Sequence, residues 1–161
     1  MIGSLRGRLL DRGREGEVLV EVAGVGYRVT VSPATALTVG EVGQEVFLWA
    51  HHHVREDAQT LFGFASRDER DCFEGLLGAH GVGPSLALAI LSVHAPDALH
   101  RILADDDVAA LSLVPGVGKK TATRLLVELK SRLKVPAGDG VPGSAGGTGD
   151  GPSSPSARAD V

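Results

Sequence analysis

The chain has 161 residues, enough for one domain or two small ones, and 43% of them are hydrophobic, which suffices for a globular core. Its formal net charge of −4 excludes a uniformly basic nucleic-acid binder, so any such affinity has to come from a local patch. The single cysteine, Cys72, excludes an intrachain disulfide and indicates a reducing compartment; we expect it to be a buried helix residue. No signal peptide or membrane span is recognisable, so a soluble, cytoplasmic protein is expected.

Residues 1–65 are predicted to form a small β-barrel. Short runs of β-branched and aromatic residues, in part alternating with polar ones, predict five strands. They lie near Leu5–Leu10, Val18–Val22, Tyr27–Val31, Val46–Ala50 and Thr60–Phe64. Closure into a barrel is favoured because it removes exposed strand edges. The five-stranded OB-fold, which binds oligonucleotides, is the barrel that we expect at this size.

Residues 66–135 are predicted to be helical, which makes the expected fold class α+β with two domains. Ser66, followed by Glu69, has the pattern of a capping box at the first helix start. Pro84 and Pro96 suit the first turns of two further helices, and the acids at 105–107 suit another helix start. The last helix is expected over about 118–134, with an apolar face of Ala122, Leu125, Leu126, Leu129 and Leu133.

Residues 136–161 differ in kind from the rest of the chain. They are rich in Gly and Pro, and Val141 and Val161 are their only large aliphatic residues. Such a segment cannot bury enough apolar surface to offset its ordering entropy. We therefore predict a disordered linker or tail.

An internal repeat is the most informative motif of the helical region. Gly-Val-Gly occurs at Gly81–Gly83 and again at Gly116–Gly118, an offset of 35 residues, and each copy opens an apolar stretch. One copy alone is equally consistent with an ordinary helix end in which glycine adopts a left-handed conformation. Two copies at helix starts favour binding of a nucleic-acid backbone, because such starts present N–H groups to phosphate. Residues 115–134 also contain six Lys or Arg residues and one Glu.

Other candidate sites are weaker. Gly116–Thr121 does not match a nucleotide-binding P-loop, because the first required glycine would fall at Leu113 and Lys120 intervenes before the threonine. His51 and His53 share one strand face and have a spacing that can chelate zinc, but no third ligand is apparent from spacing. No catalytic constellation is recognisable, and no cofactor or bound metal is expected.

An acidic pair, Glu56 and Asp57, lies between the last two predicted strands. From spacing alone, an ordinary polar hairpin tip is the preferred interpretation. On a DNA-binding protein these carboxylates would repel phosphates, by about 1 kcal/mol per close contact in water and about 4 kcal/mol near a protein surface.

The motifs, in this order, closely resemble one family, RuvA, the Holliday-junction-binding subunits of the bacterial branch-migration complex. The resemblance covers residues 1 to about 134. It is carried by Met1–Gly7, Gly24–Tyr27, Val54–Gln59, Leu61–Phe64, Gly81–Pro84 with Leu86–Ser92, and Pro115–Ala122.

The resemblance implies an OB-fold barrel followed by two helix-hairpin-helix motifs, and a homotetramer that holds a four-way DNA junction open and square. It implies that Glu56 and Asp57 form a central acidic pin, which replaces the interpretation preferred from spacing. It also implies two protein partners, the RuvB ATPase motor and the RuvC resolvase. The implied DNA-backbone contacts are Gly81, Val82, Gly83, Ser85, Gly116, Val117, Gly118, Lys119, Lys120 and Arg124.

Two departures from the family pattern bear on function. Ser85 stands where the family often has Lys, which predicts that the second turn, with Lys119, Lys120 and Arg124, supplies most of the electrostatic hold. The chain also stops about where the family's third, motor-recruiting domain begins, so impaired motor recruitment is expected. Two alternatives remain open at this point: a metal-dependent enzyme using His51 and His53, and a general helix-hairpin-helix accessory domain that binds duplex DNA.

Overall fold

The computed structural model of the chain describes residues 1–133, so the predicted linker at 136–161 lies outside the described residues. Within 1–133, no single helix is long and apolar enough to cross a membrane; the third and fourth helices reach that composition only as a pair bent by 91°. The elements are β1 (Ser4–Arg12), β2 (Glu17–Val22), β3 (Val25–Val31), α1 (Pro33–Thr38), β4 (Glu45–Val54), β5 (Gln59–Phe64), α2 (Arg67–Leu77), α3 (Pro84–Val93), α4 (Pro96–Ala104), α5 (Val108–Ser112) and α6 (Lys119–Arg132).

The five strands close into a barrel in the order β1-β2-β3-β5-β4, which confirms the predicted barrel. Neighbouring strands are antiparallel except β3 and β5, which pair in parallel and complete the closure. A register shift between Leu9 and Asp11 interrupts the β1–β2 ladder and helps the strand to curve. The interior is filled by inward-facing residues that are almost fully buried, among them Leu9, Val20, Val29 and Leu48.

The connections inside the barrel are only partly evident from sequence. β2 and β3 form a hairpin, and its two turn residues, Ala23 and Gly24, have φ of +50° and +84°, the conformation that matches the twist of a hairpin. The expectation of β structure alone over 1–65 is wrong at α1. The Ser32 side chain caps this helix by accepting a hydrogen bond from the Thr35 N–H at 3.1 Å. Six residues are too few to show a helical period in a sequence.

The helical region follows the predicted starts closely. Ser66 caps α2 through the Glu69 N–H at 3.2 Å, and Asp107 caps α5 through the Ala110 N–H at 3.0 Å. Cys72 is buried on α2, as expected. The predicted apolar face of the last helix is also confirmed, since Ala122, Leu125, Leu126, Leu129 and Leu133 are all buried.

Phe73 joins the helical region to the barrel. This fully buried α2 ring lies 5.0 Å from the ring of Phe62, 4.9 Å from that of Phe64 and 5.4 Å from the imidazole of His51, measured between ring centroids. Burying one such side chain contributes roughly 1.5–3 kcal/mol. The last barrel strand and the first long helix therefore share one apolar core, which holds the helices against one end of the barrel.

Candidate nucleic-acid interface

The two Gly-Val-Gly segments adopt the same turn. Gly81 and Gly116 have φ of +76° and +87°, a left-handed conformation that glycine adopts at little cost. The valines that follow them, Val82 and Val117, are 7% and 5% exposed and so anchor each turn in the helical core. The internal repeat of the sequence is thus a structural repeat of a helix, a tight turn and a second helix.

Each turn leads into a helix start that lacks a side-chain cap. Gly83 and Gly118 are the N-cap residues of α3 and α6, both in extended conformation, and no side chain in the described part of the chain accepts a hydrogen bond from either helix start. A Cβ atom added to Gly83 or Gly118 would meet no atom within 4 Å. The glycines are therefore not required by packing, and the backbone at both helix starts is open to an approaching anion.

The second turn has two cations where a helix disfavours them. Lys119 and Lys120 are exposed in the first turn of α6, which contains no acidic residue. Positive charge at a helix N-terminus is unfavourable by a few tenths of a kcal/mol to about 1 kcal/mol. Neither lysine forms an ion pair with another residue of the range 1–133. A bound phosphate would offset this repulsion, so the arrangement favours an anion site.

Arg124 contacts the first turn, although sequence reasoning groups it with the second. Its Nη1 donates a hydrogen bond to the His80 carbonyl oxygen at 2.5 Å, and its Nη2 would lie 3.5 Å from a Cβ atom on Gly81. Ser85, the other polar residue predicted at this turn, is exposed in the first turn of α3. The first turn therefore has a cation beside it that its own sequence does not supply.

Glu128 is a residue of this surface that sequence reasoning missed. Its Oε2 accepts a hydrogen bond from the His80 N–H at 2.7 Å, and its Oε1 lies 3.3 Å from Arg124 Nη1. The hydrogen bond from His80, together with the charge of Arg124, lowers the pKa of the Glu128 carboxyl below its usual value. The contact joins residues 48 positions apart, so only the i,i+4 spacing of Arg124 and Glu128 was visible in the sequence.

The predicted acidic tip is an exposed turn between β4 and β5. The Arg55 N–H donates to the Ala58 carbonyl at 2.8 Å and closes the turn around Glu56 and Asp57, which are both exposed. Within the described residues neither carboxylate takes part in a salt bridge or a side-chain hydrogen bond. The tip thus presents two negative charges to solvent.

The histidines of β4 contact other protein groups. His51 and His53 share a strand face as predicted, with ring centroids 5.8 Å apart, but His51 Nδ1 lies 3.1 Å from a Glu74 oxygen. Partial burial lowers the pKa of His53, with smaller contributions from the charges of His51 and Arg55. No group of three potential metal ligands within 1–133 includes either histidine.

Three other residues form the one such group found within 1–133. Asp68, Cys72 and His100 have ligand atoms within 4.8 Å of one another, with Cys72 Sγ 3.9 Å from His100 Nε2. Burial raises the pKa of the Cys72 thiol to about 12, with a further contribution from nearby acids, so the thiol is protonated near neutral pH.

A separate cleft of about 520 Å³ is lined by the N-terminus, β4 and α2, and none of the predicted DNA-contact residues lines it.

A closed barrel followed by two helix-hairpin-helix turns defines the class of protein: a barrel protein with a tandem helix-hairpin-helix unit. Comparison with protein families agrees, because residues 1–63 match the family described as RuvA N terminal domain, and residues 73–131 match the SAM-like helix-hairpin-helix tandem family.

Similarity to whole proteins identifies the family. The chain is 55% identical over 139 residues to the Holliday junction branch migration complex subunit RuvA of Thermobifida fusca, covering 86% of this chain and 68% of that protein. The proteins of the same name from Colwellia psychrerythraea and Laribacter hongkongensis are each 48% identical, with 83% and 86% of this chain and 63% and 69% of theirs covered. The chain belongs to the RuvA family, and it spans about two thirds of the length of these relatives.

Proposed function

We propose that this chain binds four-way DNA junctions as a non-catalytic, tetrameric subunit of a branch-migration complex. The observation that carries the proposal is the pair of equivalent turns, each leading into an uncapped helix start, in a chain that also exposes an acidic barrel tip. The names of the similar proteins, Holliday junction branch migration complex subunit RuvA, support the same function. Residues 1–65 act as the barrel domain and residues 66–135 as the DNA-binding domain.

The turns bind the phosphate backbone of the junction arms. Open glycines allow the backbone to approach a phosphate, the N–H groups at each helix start donate to its oxygens, and lysines add charge. Such contacts recognise the shape of the backbone and carry no base sequence. The proposed contact residues are Gly81, Val82, Gly83, Ser85, Gly116, Val117, Gly118, Lys119, Lys120 and Arg124.

The acidic tip acts where the strands cross. In a fourfold assembly four copies of Glu56 and Asp57 meet near the centre of the junction and repel the phosphates there, while the outer turns hold the arms. Repulsion of about 1–4 kcal/mol per close contact is enough to bias strands apart without preventing binding by the turns. The energy for migration comes from ATP hydrolysis in a motor partner, RuvB, and the resolvase RuvC is a further proposed partner.

Junction preference is the direct test of this function. In a gel-shift titration at fixed salt, we expect a synthetic four-way junction to bind at least about tenfold more tightly than a linear duplex of the same arm sequence, a difference of about 1.4 kcal/mol. Sedimentation of the complex measures the number of chains, for which we expect four or a multiple of four. Equal affinities for junction and duplex would instead support a general duplex-binding accessory domain.

Lys119 tests the phosphate contact at the second turn. Lys119→Ala should weaken binding to every DNA sequence and reduce the slope of log K against log salt concentration by about 0.9 for each copy that contacts a phosphate. The matched control is Lys130→Ala on the same helix, because Lys130 Nζ is paired with Asp106 at 2.6 Å. An unchanged slope for Lys119→Ala would remove this residue from the contact set.

Removing the charges of the acidic tip should not weaken DNA binding, in contrast to removing the charge of Lys119. The double variant Glu56→Gln, Asp57→Asn should bind a junction as tightly as the parent protein or more tightly, because two phosphate-repelling charges are lost from each copy. Its control is Glu15→Gln with Glu41→Gln, which removes two exposed charges from other barrel loops. A tenfold loss of junction affinity confined to the tip variant would contradict the pin role.

A further inference from the structure

The face of α6 next to the first turn carries a row of polar side chains. Arg124, Glu128 and Arg132 follow each other at intervals of four residues and so lie on one side of the helix. Arg124 and Glu128 hydrogen-bond to the backbone of His80, and the Arg132 guanidinium packs on Gly78, where an added Cβ atom would come within 2.5 Å of its Nη1. Three successive turns of the second hairpin's helix thus line the loop of the first hairpin.

His80 is held through its main chain on both sides. Its N–H donates to Glu128 Oε2 at 2.7 Å and its carbonyl accepts from Arg124. The position of His80 is two residues before the buried Val82, inside the turn that precedes the α3 start. Because the peptide groups on both sides of His80 are restrained, the turn that presents Gly81 and Gly83 is restrained as well.

The second turn achieves the same geometry in another way. At the repeat offset of 35, the residue that corresponds to His80 is Pro115, whose ring fixes φ and which has no N–H to satisfy. In both turns the buried valine donates to the carbonyl three residues earlier, Val82 to Ala79 at 3.2 Å and Val117 to Val114 at 3.0 Å. The turns thus share a main-chain pattern, but only the first has an N–H at this position, and Glu128 accepts its hydrogen bond.

The charge of Glu128 is unfavourable for the proposed ligand. It is the one acidic residue between 115 and 134, and its carboxylate lies next to a turn that is proposed to bind phosphate. On electrostatic grounds alone, removal of this charge should tighten DNA binding. If Glu128 instead positions the turn, a replacement that also removes the acceptor oxygen should weaken DNA binding. The two explanations therefore predict opposite changes in DNA affinity.

We propose that Glu128 is a positioning residue, which holds the first turn in its phosphate-binding conformation by accepting the His80 N–H. The proposal rests on the proposed DNA-binding function and adds a cause for the geometry of the first turn. It makes the two hairpins one unit, because a side chain of the second hairpin's helix sets the loop of the first. Arg124 assists by donating to the carbonyl oxygen of the same residue, in the next peptide group.

A matched pair of variants tests the proposal. Glu128→Gln and Glu128→Met both remove the negative charge and nearly keep the side-chain length, but only Gln keeps an acceptor oxygen. We expect Glu128→Met to lose about fivefold in affinity for junction and for duplex DNA, and Glu128→Gln to bind at least as tightly as the parent. If both variants tighten binding equally, Glu128 acts only through its charge and the proposal is overturned. Equal loss in both variants also overturns it.

A second variant keeps the test independent of stability. His80→Pro copies the second turn and removes the N–H, so in the Glu128→Met background it should restore most of the lost affinity. Urea unfolding checks that each protein is folded at the assay temperature. Failure of the proline rescue in a folded double variant would contradict the proposal. Equal affinity of the parent protein for junction and duplex DNA would overturn the proposed function but not the positioning role of Glu128. If the parent protein bound no DNA at all, both proposals would be overturned.

Discussion

The geometry of both turns depends on the burial of one face of α6. Ala122, Leu125 and Leu129 of this face are fully buried in the helical core, which fixes the helix along its length. The first residues of α6 form the helix start that follows the second turn. Its polar side chain Glu128 contacts the first turn through the His80 N–H. A rigid helix packed in this way fixes the spacing between the two turns that are proposed to bind phosphate. That spacing is what a binder of backbone shape needs, since it recognises no bases.

The barrel adds a second fixed element to this arrangement. Phe73 shares a core with the rings of Phe62 and Phe64, and His51 meets Glu74 across the same boundary at 3.1 Å. The acidic tip is the turn that joins β4 to β5, the two strands that contact α2. Because both elements belong to one packed body, the attraction proposed at the turns and the repulsion proposed at the tip can act on the same DNA.

The two repeated turns and the apolar face of α6 could be predicted from the sequence alone. The two Gly-Val-Gly turns are visible because the sequence repeats at an offset of 35 residues. The stripe of Ala122 and the leucines is visible because its members recur within one or two helical turns. The contacts of Arg124 and Glu128 with His80 span 44 and 48 residues, and nothing local distinguishes them from an exposed ion pair. Barrel closure was predicted, but the strand pattern did not show that β3 and β5 pair in parallel, because this contact is tertiary. The six-residue α1 was missed because it is too short to show a helical period.

Amide hydrogen exchange with and without a four-way junction tests the central claim most directly. The claim is that the helix starts after both turns bind phosphate through their backbone N–H groups. The account predicts that the amides of Gly83, Ser85 and Leu86 and those of Gly118–Thr121 become protected together on binding, while the exposed tip at Glu56 and Asp57 gains little protection. Junction binding without protection at either helix start would contradict it.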